Sequence, residues 1–383
     1  MSLYQKSLRK IGFLATGLII VLASCHKQPP PVPEESDYYV IAYVAGWNDE
    51  PLSYIPATRL THINYAFLNI RDGKVVSSME NDSVNLIDLV DLKSLNPDLK
   101  ILCSIGGATW SEDFSDAAFS DSSRKIFSNS LIHFIEKYNL DGADIDWEFP
   151  GVGDGSRHED KENFTLLLQQ IRADLNDLAF QENRLLADPY LLTIASGASS
   201  WYLALIEVDK ILSLLDYLNI MTYDFYGSWS STTGNHTNLY RSDLDPLGIS
   251  VSESVQAYLN NGVPREKIVI GAAFYGRYWE GVTKQDHGLY KSFSGNSGAF
   301  TYSYIKNTLL NDPDYVRFWD DHAKAPWLWN ESSGIFISYD DQNSISSKTD
   351  FVRLNKLGGM MFWEYAQDDN HKLLNALSGG LGR

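Results

Sequence analysis

Residues 141–150 (DGADIDWEFP) carry four carboxylates, Asp141, Asp144, Asp146 and Glu148, inside an otherwise apolar run. Phe134, Ile135 and Tyr138 ahead of them have helical spacing, and Leu140 begins a strand-like segment. Strand side chains alternate between faces. Asp144, Asp146 and Glu148 therefore share one face, with Ile145, Trp147 and Phe149 on the other. Three acids on one face of a buried strand repel one another and resist desolvation. Carboxyls of unequal pKa held close together are a standard means of cleaving a glycosidic bond. A calcium loop does not fit, because Ile, Trp and Phe interleave where oxygen ligands and a sharp-turn glycine are needed.

Short β-branched or aromatic runs, alternating with amphipathic stretches, must position these acids. The runs 39–45, 62–69, 100–105, 142–147, 190–195, 217–222, 267–273 and 359–363 read as strands. The stretches 121–138, 161–178, 252–260 and 346–356 read as helices, with Ser120 or Asp121 capping the first. Near-continuous apolar strands suit a parallel sheet buried on both faces. The alternation alone would also suit a doubly wound sheet. Polar residues at the strand ends favour an α/β fold of the (β/α)8 TIM-barrel type, because barrel sites collect there from many strands. About sixty residues separate the seventh strand from Gly334, far more than a βα loop needs. Their aromatic content (Tyr278, Trp279, Tyr290, Trp319, Trp327 and Trp329 among them) predicts a small α+β insertion domain over 276–334 on the catalytic face. The barrel then spans 38–275 and 335–383.

With 383 residues, 44% of them hydrophobic, the chain allows one large domain or two. At the N-terminus, Lys6, Arg9 and Lys10 precede an apolar stretch over 11–23 that is too short for a comfortable membrane span. Leu22-Ala23-Ser24-Cys25 resembles the lipobox of bacterial lipoproteins, which implies cleavage before Cys25 and lipidation there. Residues 1–24 are thus expected to be a signal peptide and 25–37 a flexible, Pro-rich tether. An exported lipoprotein follows, anchored to a bacterial membrane without spanning it, periplasmic or on the cell surface. Losing residues 1–24 removes three cations and no acid, so the net charge of −18 becomes −21. That charge argues against nucleic acid or anionic lipid as main partner and suits a domain acting on a neutral polymer. Cys103 sits in an apolar run and reads as a core thiol, with no disulfide expected. The eight His are scattered without metal-ligand spacing, so no metal is expected.

Further runs fall in a definite order. Ser104-Ile105-Gly106-Gly107 closes the third strand, and Met221-Thr222-Tyr223-Asp224 closes the sixth. Phe274-Tyr275-Gly276-Arg277 follows the seventh, Ser338-Tyr339-Asp340-Asp341 precedes the seventh helix, and Gly359-Met360-Met361-Phe362-Trp363 is the eighth strand. Together with the acidic run, over Tyr38 to Asp369, they resemble the chitinases of glycoside hydrolase family 18.

That resemblance implies a retaining, substrate-assisted hydrolysis of β-1,4-linked N-acetylglucosamine through an oxazolinium intermediate, without a cofactor. Glu148 would protonate the glycosidic oxygen. Asp146 would hold the acetamido nitrogen, and Asp144, two residues deeper, would share a proton with it. Tyr223 would donate to the acetamido oxygen. Trp363 would form the floor under the reacting sugar, with Met221 lining the pocket beneath. Asp224 would bind hydroxyl or acetamide groups next door, and Arg277 would reach sugar from the insertion. Tyr43 and Phe67 would complete the wall. Asp141 lies outside the inward set and would order the strand start.

The chain departs from the family's common pattern at Ala108-Thr109, where many members have Trp directly after the two glycines. Trp110 and Trp229 are the candidates for the product-side platform. The expected partner is an N-acetylglucosamine-containing glycan, bound by a monomer. An endo-β-N-acetylglucosaminidase of N-glycans would use the same acidic motif. A non-catalytic, lectin-like reading is disfavoured by the presence of Glu148, Asp146, Asp144 and Tyr223.

Overall fold

The computed structural model describes residues 38–48, 51–184 and 188–383. The expected signal peptide, Cys25 and the tether lie outside the described residues. In chain order the strands are β1 (Tyr39–Ala45), β2 (His62–Arg71), β3 (Lys74–Val76), β4 (Lys100–Gly106), β5 (Gly142–Asp146), β6 (Leu191–Gly197) and β7 (Leu218–Met221). They continue as β8 (Ile268–Ala273), β9 (Tyr275–Trp279), β10 (Ser297–Thr301), β11 (Tyr315–Asp320), β12 (Ala325–Asn330), β13 (Ile335–Tyr339) and β14 (Gly359–Trp363). β1, β2, β4, β5, β6, β7, β8 and β14 run parallel, and the β1–β2 pairing closes them into a (β/α)8 barrel. Each expected barrel strand is present, with ends shifted by at most two residues.

Two packing layers follow from the period-two alternation. Ile145, Trp147, Leu192 and Ile194 face outward into the shell between barrel and helices. There Trp147 stacks on Phe114 at 5.3 Å and meets Phe164 edge-on at 5.5 Å. Cys103 is buried in the same shell as a free thiol. The helix Asp121–Tyr138 begins at a capping box in which Ser120 and Ser123 satisfy each other's backbone N–H groups. It ends at Asn139, which adopts the left-handed conformation at φ 54°.

Two boundaries differ from the sequence reading. The helix expected over 346–356 starts earlier, at Gln342, because the Asp341 carboxylate accepts the N–H groups of Asn343 and Ser344. The insertion is an antiparallel five-stranded sheet in the order β10-β9-β13-β12-β11. Its central strand β13 pairs with β9, so the sheet runs from Tyr275 to Tyr339 and extends past residue 334. β13 reads locally like a buried barrel strand, and only its distant partner assigns it to the second sheet.

Among the described residues, no helix is long and apolar enough to cross a membrane.

Candidate active site

A cleft of ≈ 610 Å³ opens at the carboxyl ends of the barrel strands. Asp146 and Glu148 line it from the end of β5. Tyr43, Phe67, Met221, Tyr223 and Trp363 reach it from β1, β2, the end of β7 and β14, and Trp110 from the loop after β4. Arg277 closes the insertion side from β9, facing Asp224. The residues expected at the site are thus brought to this cleft except Asp144, which lies fully buried just beneath it, and Trp229, which is exposed and does not line it.

The glycines of the third motif make room. A Cβ on Gly106 (φ +103°) would lie 2.3 Å from the Asp146 carbonyl, and one on Gly107 (φ +80°) would lie 2.6 Å from the Phe67 ring. Only glycine lets this loop press so closely on both catalytic-face strands.

Asp144 is held by four donors. Its Oδ2 accepts from Tyr43 Oη at 2.9 Å and Ser104 Oγ at 2.7 Å. Its Oδ1 accepts from Thr193 Oγ1 at 2.5 Å and Asn219 Nδ2 at 3.1 Å. Burial raises its carboxyl above the ordinary value, and the four hydrogen bonds oppose that rise. Each Asp144 oxygen thus accepts from two donors of other barrel strands. Asp146 Oδ1 is instead buried without a partner. Burial first, then the charges of Glu148 and Asp144, push Asp146 well above the usual carboxylate value.

Glu148 stands at the cleft wall. Its backbone N–H donates to Ser111 Oγ at 2.9 Å. Ser111 Oγ also lies 2.9 Å from the Gly107 carbonyl and 3.1 Å from that of Asp146, tying the loop after β4 to the acid's own backbone. Burial, and then the negative charge of Asp224, push the Glu148 carboxyl up to about 7. A carboxyl of that pKa can both give and take a proton near neutrality.

Asp224 sits in the left-handed region at φ 59°. Its Oδ1 accepts from Tyr275 Oη at 2.7 Å and Arg277 Nε at 2.8 Å, and its Oδ2 from the Arg277 guanidinium at 2.6 Å. Burial alone would raise it, but His236 and Arg277 outweigh that and hold it below the usual carboxylate range. His236 Nδ1 lies 3.7 Å from it. Any sugar contact by Asp224 or Arg277 must therefore share this pair.

The aromatic floor is continuous. Trp363 stacks on Phe67 at 5.4 Å and lies 5.9 Å from Tyr43. Trp47 extends it outward, 6.1 Å from Trp363 and 6.4 Å from Phe67. Trp110 lines the cleft and packs against the interior cluster of Tyr43 and Phe67. Trp229 is exposed beside the cleft, with the Arg277 guanidinium 5.1 Å above its ring. Asp141 takes no part. It accepts the Ile101 N–H at 2.7 Å and pairs with Lys93 at 2.6 Å, ordering the start of β5 as expected.

Thr193, Asn219, Ser111 and Trp47 were not singled out from the sequence, and Tyr275 stood there only within its motif, without a role. Thr193 and Asn219 carried a readable signal: each is a lone polar residue in an apolar strand, and such a residue must find a partner.

The model of the glycosyl hydrolases family 18 matches residues 39–368. The chain belongs to that family. The chain is 34% identical to chitinase A1 of Niallia circulans over 446 aligned positions, covering 99% of this chain and 63% of that protein. It is 31% identical to chitinase B of Serratia marcescens, covering 84% of this chain and 76% of the relative. A family 18 N-acetylglucosaminidase from Paenibacillus barengoltzii superposes with a TM-score of 0.82 at 39% identity, over 90% of this chain and 99% of that one.

Proposed function

We propose that this family 18 glycosidase cleaves β-1,4-linked N-acetylglucosamine chains with retention, using the substrate's own acetamido oxygen as nucleophile. The observation that carries this reading is the state of the carboxyls around the cleft. Retention by two carboxylates needs one proton donor and one ionised, unengaged nucleophile. Glu148 suits the donor. Asp146 is held toward its neutral form, Asp144 is buried under four donors, and Asp224 is engaged by Arg277 and Tyr275. The nucleophile then comes with the substrate. Asp146 receives the acetamido N–H, Tyr223 donates to the acetamido oxygen, and Trp363 carries the sugar's apolar face. The names of the similar chitinases and of the N-acetylglucosaminidase support the same substrate class.

Product analysis tests this directly. Chitohexaose should yield N-acetylglucosamine or chitobiose, while a high-mannose glycopeptide stays whole. Cleavage of the glycopeptide alone would assign the chain to N-glycans instead.

The pH profile gives a second check. Glu148 must be protonated to act as acid, so kcat should be full well below about 7 and fall as pH rises through it. Because the Asp224 charge raises Glu148, Asp224→Asn should move this alkaline limb to lower pH. A limb that stays in place would detach Asp224 from the acid.

The reading extends to the N-terminus, where Cys25 carries the lipid anchor of an exported protein. Cys25→Ser should release the protein from the membrane fraction; retention there would refute the anchor.

A further inference from the structure

A second, half-open cavity of ≈ 190 Å³ adjoins Glu148. It is lined after β4 by Ser111 and Glu112 of the loop and Ser115 of the short helix that follows, and after β5 by Val152, Asp154 and Ser156 of the loop. Its lining of hydroxyls and carboxyls suits water, and its volume has room for several molecules. Among the described residues, only Ala108 and Glu148 border both this cavity and the cleft. Glu148 is therefore a partition between two spaces. Ala108 is also the position at which many family members carry Trp, so beside Glu148 only a methyl group stands between the two spaces.

A glycan in the cleft covers Glu148 from one side. The geometry points to the second cavity as the route by which water reaches Glu148 while the cleft is occupied, with only the Ala108 methyl group at its inner end. This inference rests on the proposed role of Glu148. In the first step Glu148 gives its proton to the glycosidic oxygen, the C1–O bond breaks, and the acetamido oxygen bonds to C1. In the second, a water oxygen bonds to C1, the acetamido oxygen leaves C1, and a proton of that water passes to the Glu148 carboxylate. The acid is thereby restored. A hydroxyl of a second glycan bound in the cleft competes with water at this step and gives a longer chain. Delivery of water through the second cavity biases the competition toward hydrolysis.

The test is the partition between hydrolysis and chain lengthening at high chitotetraose concentration. Val152→Trp and Ser156→Trp fill the outer mouth of the cavity without touching the cleft, and Ala108→Leu narrows its inner neck without adding an aromatic platform. Each should raise the ratio of lengthened to hydrolysed product by at least about threefold. The rate of leaving-group release in a single turnover should hold in the two mouth variants. Two mouth variants guard against one of them disturbing its loop. An unchanged ratio in both would overturn the inference. Failure of the unmodified protein to cut chitotetraose at all would overturn the substrate reading instead.

Discussion

Glu148→Gln should lower kcat on chitooligosaccharides by roughly 10³- to 10⁴-fold while leaving their affinity nearly unchanged, the upper part of the range for a lost general acid. Gln keeps the shape of Glu148 and its backbone bond to Ser111, so the cleft should still close around the sugar. What is lost is a proton held ready by a carboxyl pushed up to about 7. The alkaline limb of the pH profile should disappear with it. Isothermal titration with chitotetraose, beside single-turnover kinetics, separates the two effects. Turnover within tenfold of the unmodified enzyme would remove Glu148 from the role of acid.

The second large effect is expected at a residue that never touches the cleft surface. Asp144→Ala leaves the hydroxyls of Tyr43, Ser104 and Thr193 and the amide of Asn219 without their common acceptor, in the centre of the barrel. Unmade hydrogen bonds of buried donors cost about 1–3 kcal/mol each, and partial re-pairing among the hydroxyls brings the expected total to roughly 3 kcal/mol. A thermal melt reads this as a lowered Tm. Activity should fall by roughly 100-fold as well, because Asp146 loses the charge beneath it and Tyr43, part of the cleft wall, loses its anchor. A variant as stable as the unmodified protein would show that the four donors do not depend on Asp144.

Much of this was legible in the chain because local pattern carried it. The acids of β5 face inward and Trp147 faces outward as alternation requires, and the strand-end motifs fall around one cleft. What was hidden depends on register between distant strands. Asp144 meets Thr193 directly across the β5–β6 pairing, and Asn219 arrives from β7. No pattern within 141–150 announces either. The same holds for Ser111, whose hydroxyl reaches Glu148 over 37 positions, and for β13, which only its pairing with β9 assigns to the insertion. The proton expected between Asp144 and Asp146 was a sound inference for two isolated carboxyls. The four other donors that the barrel supplies to Asp144 were not readable beside it.

The direction of β1 has a consequence for how such an enzyme meets its food. β1 begins at Tyr39, at the end of the barrel opposite the cleft, so whatever precedes Tyr38 is attached at the rear. A support or fusion joined ahead of Tyr38 therefore leaves the mouth of the cleft uncovered, and long glycans can enter it from the open side.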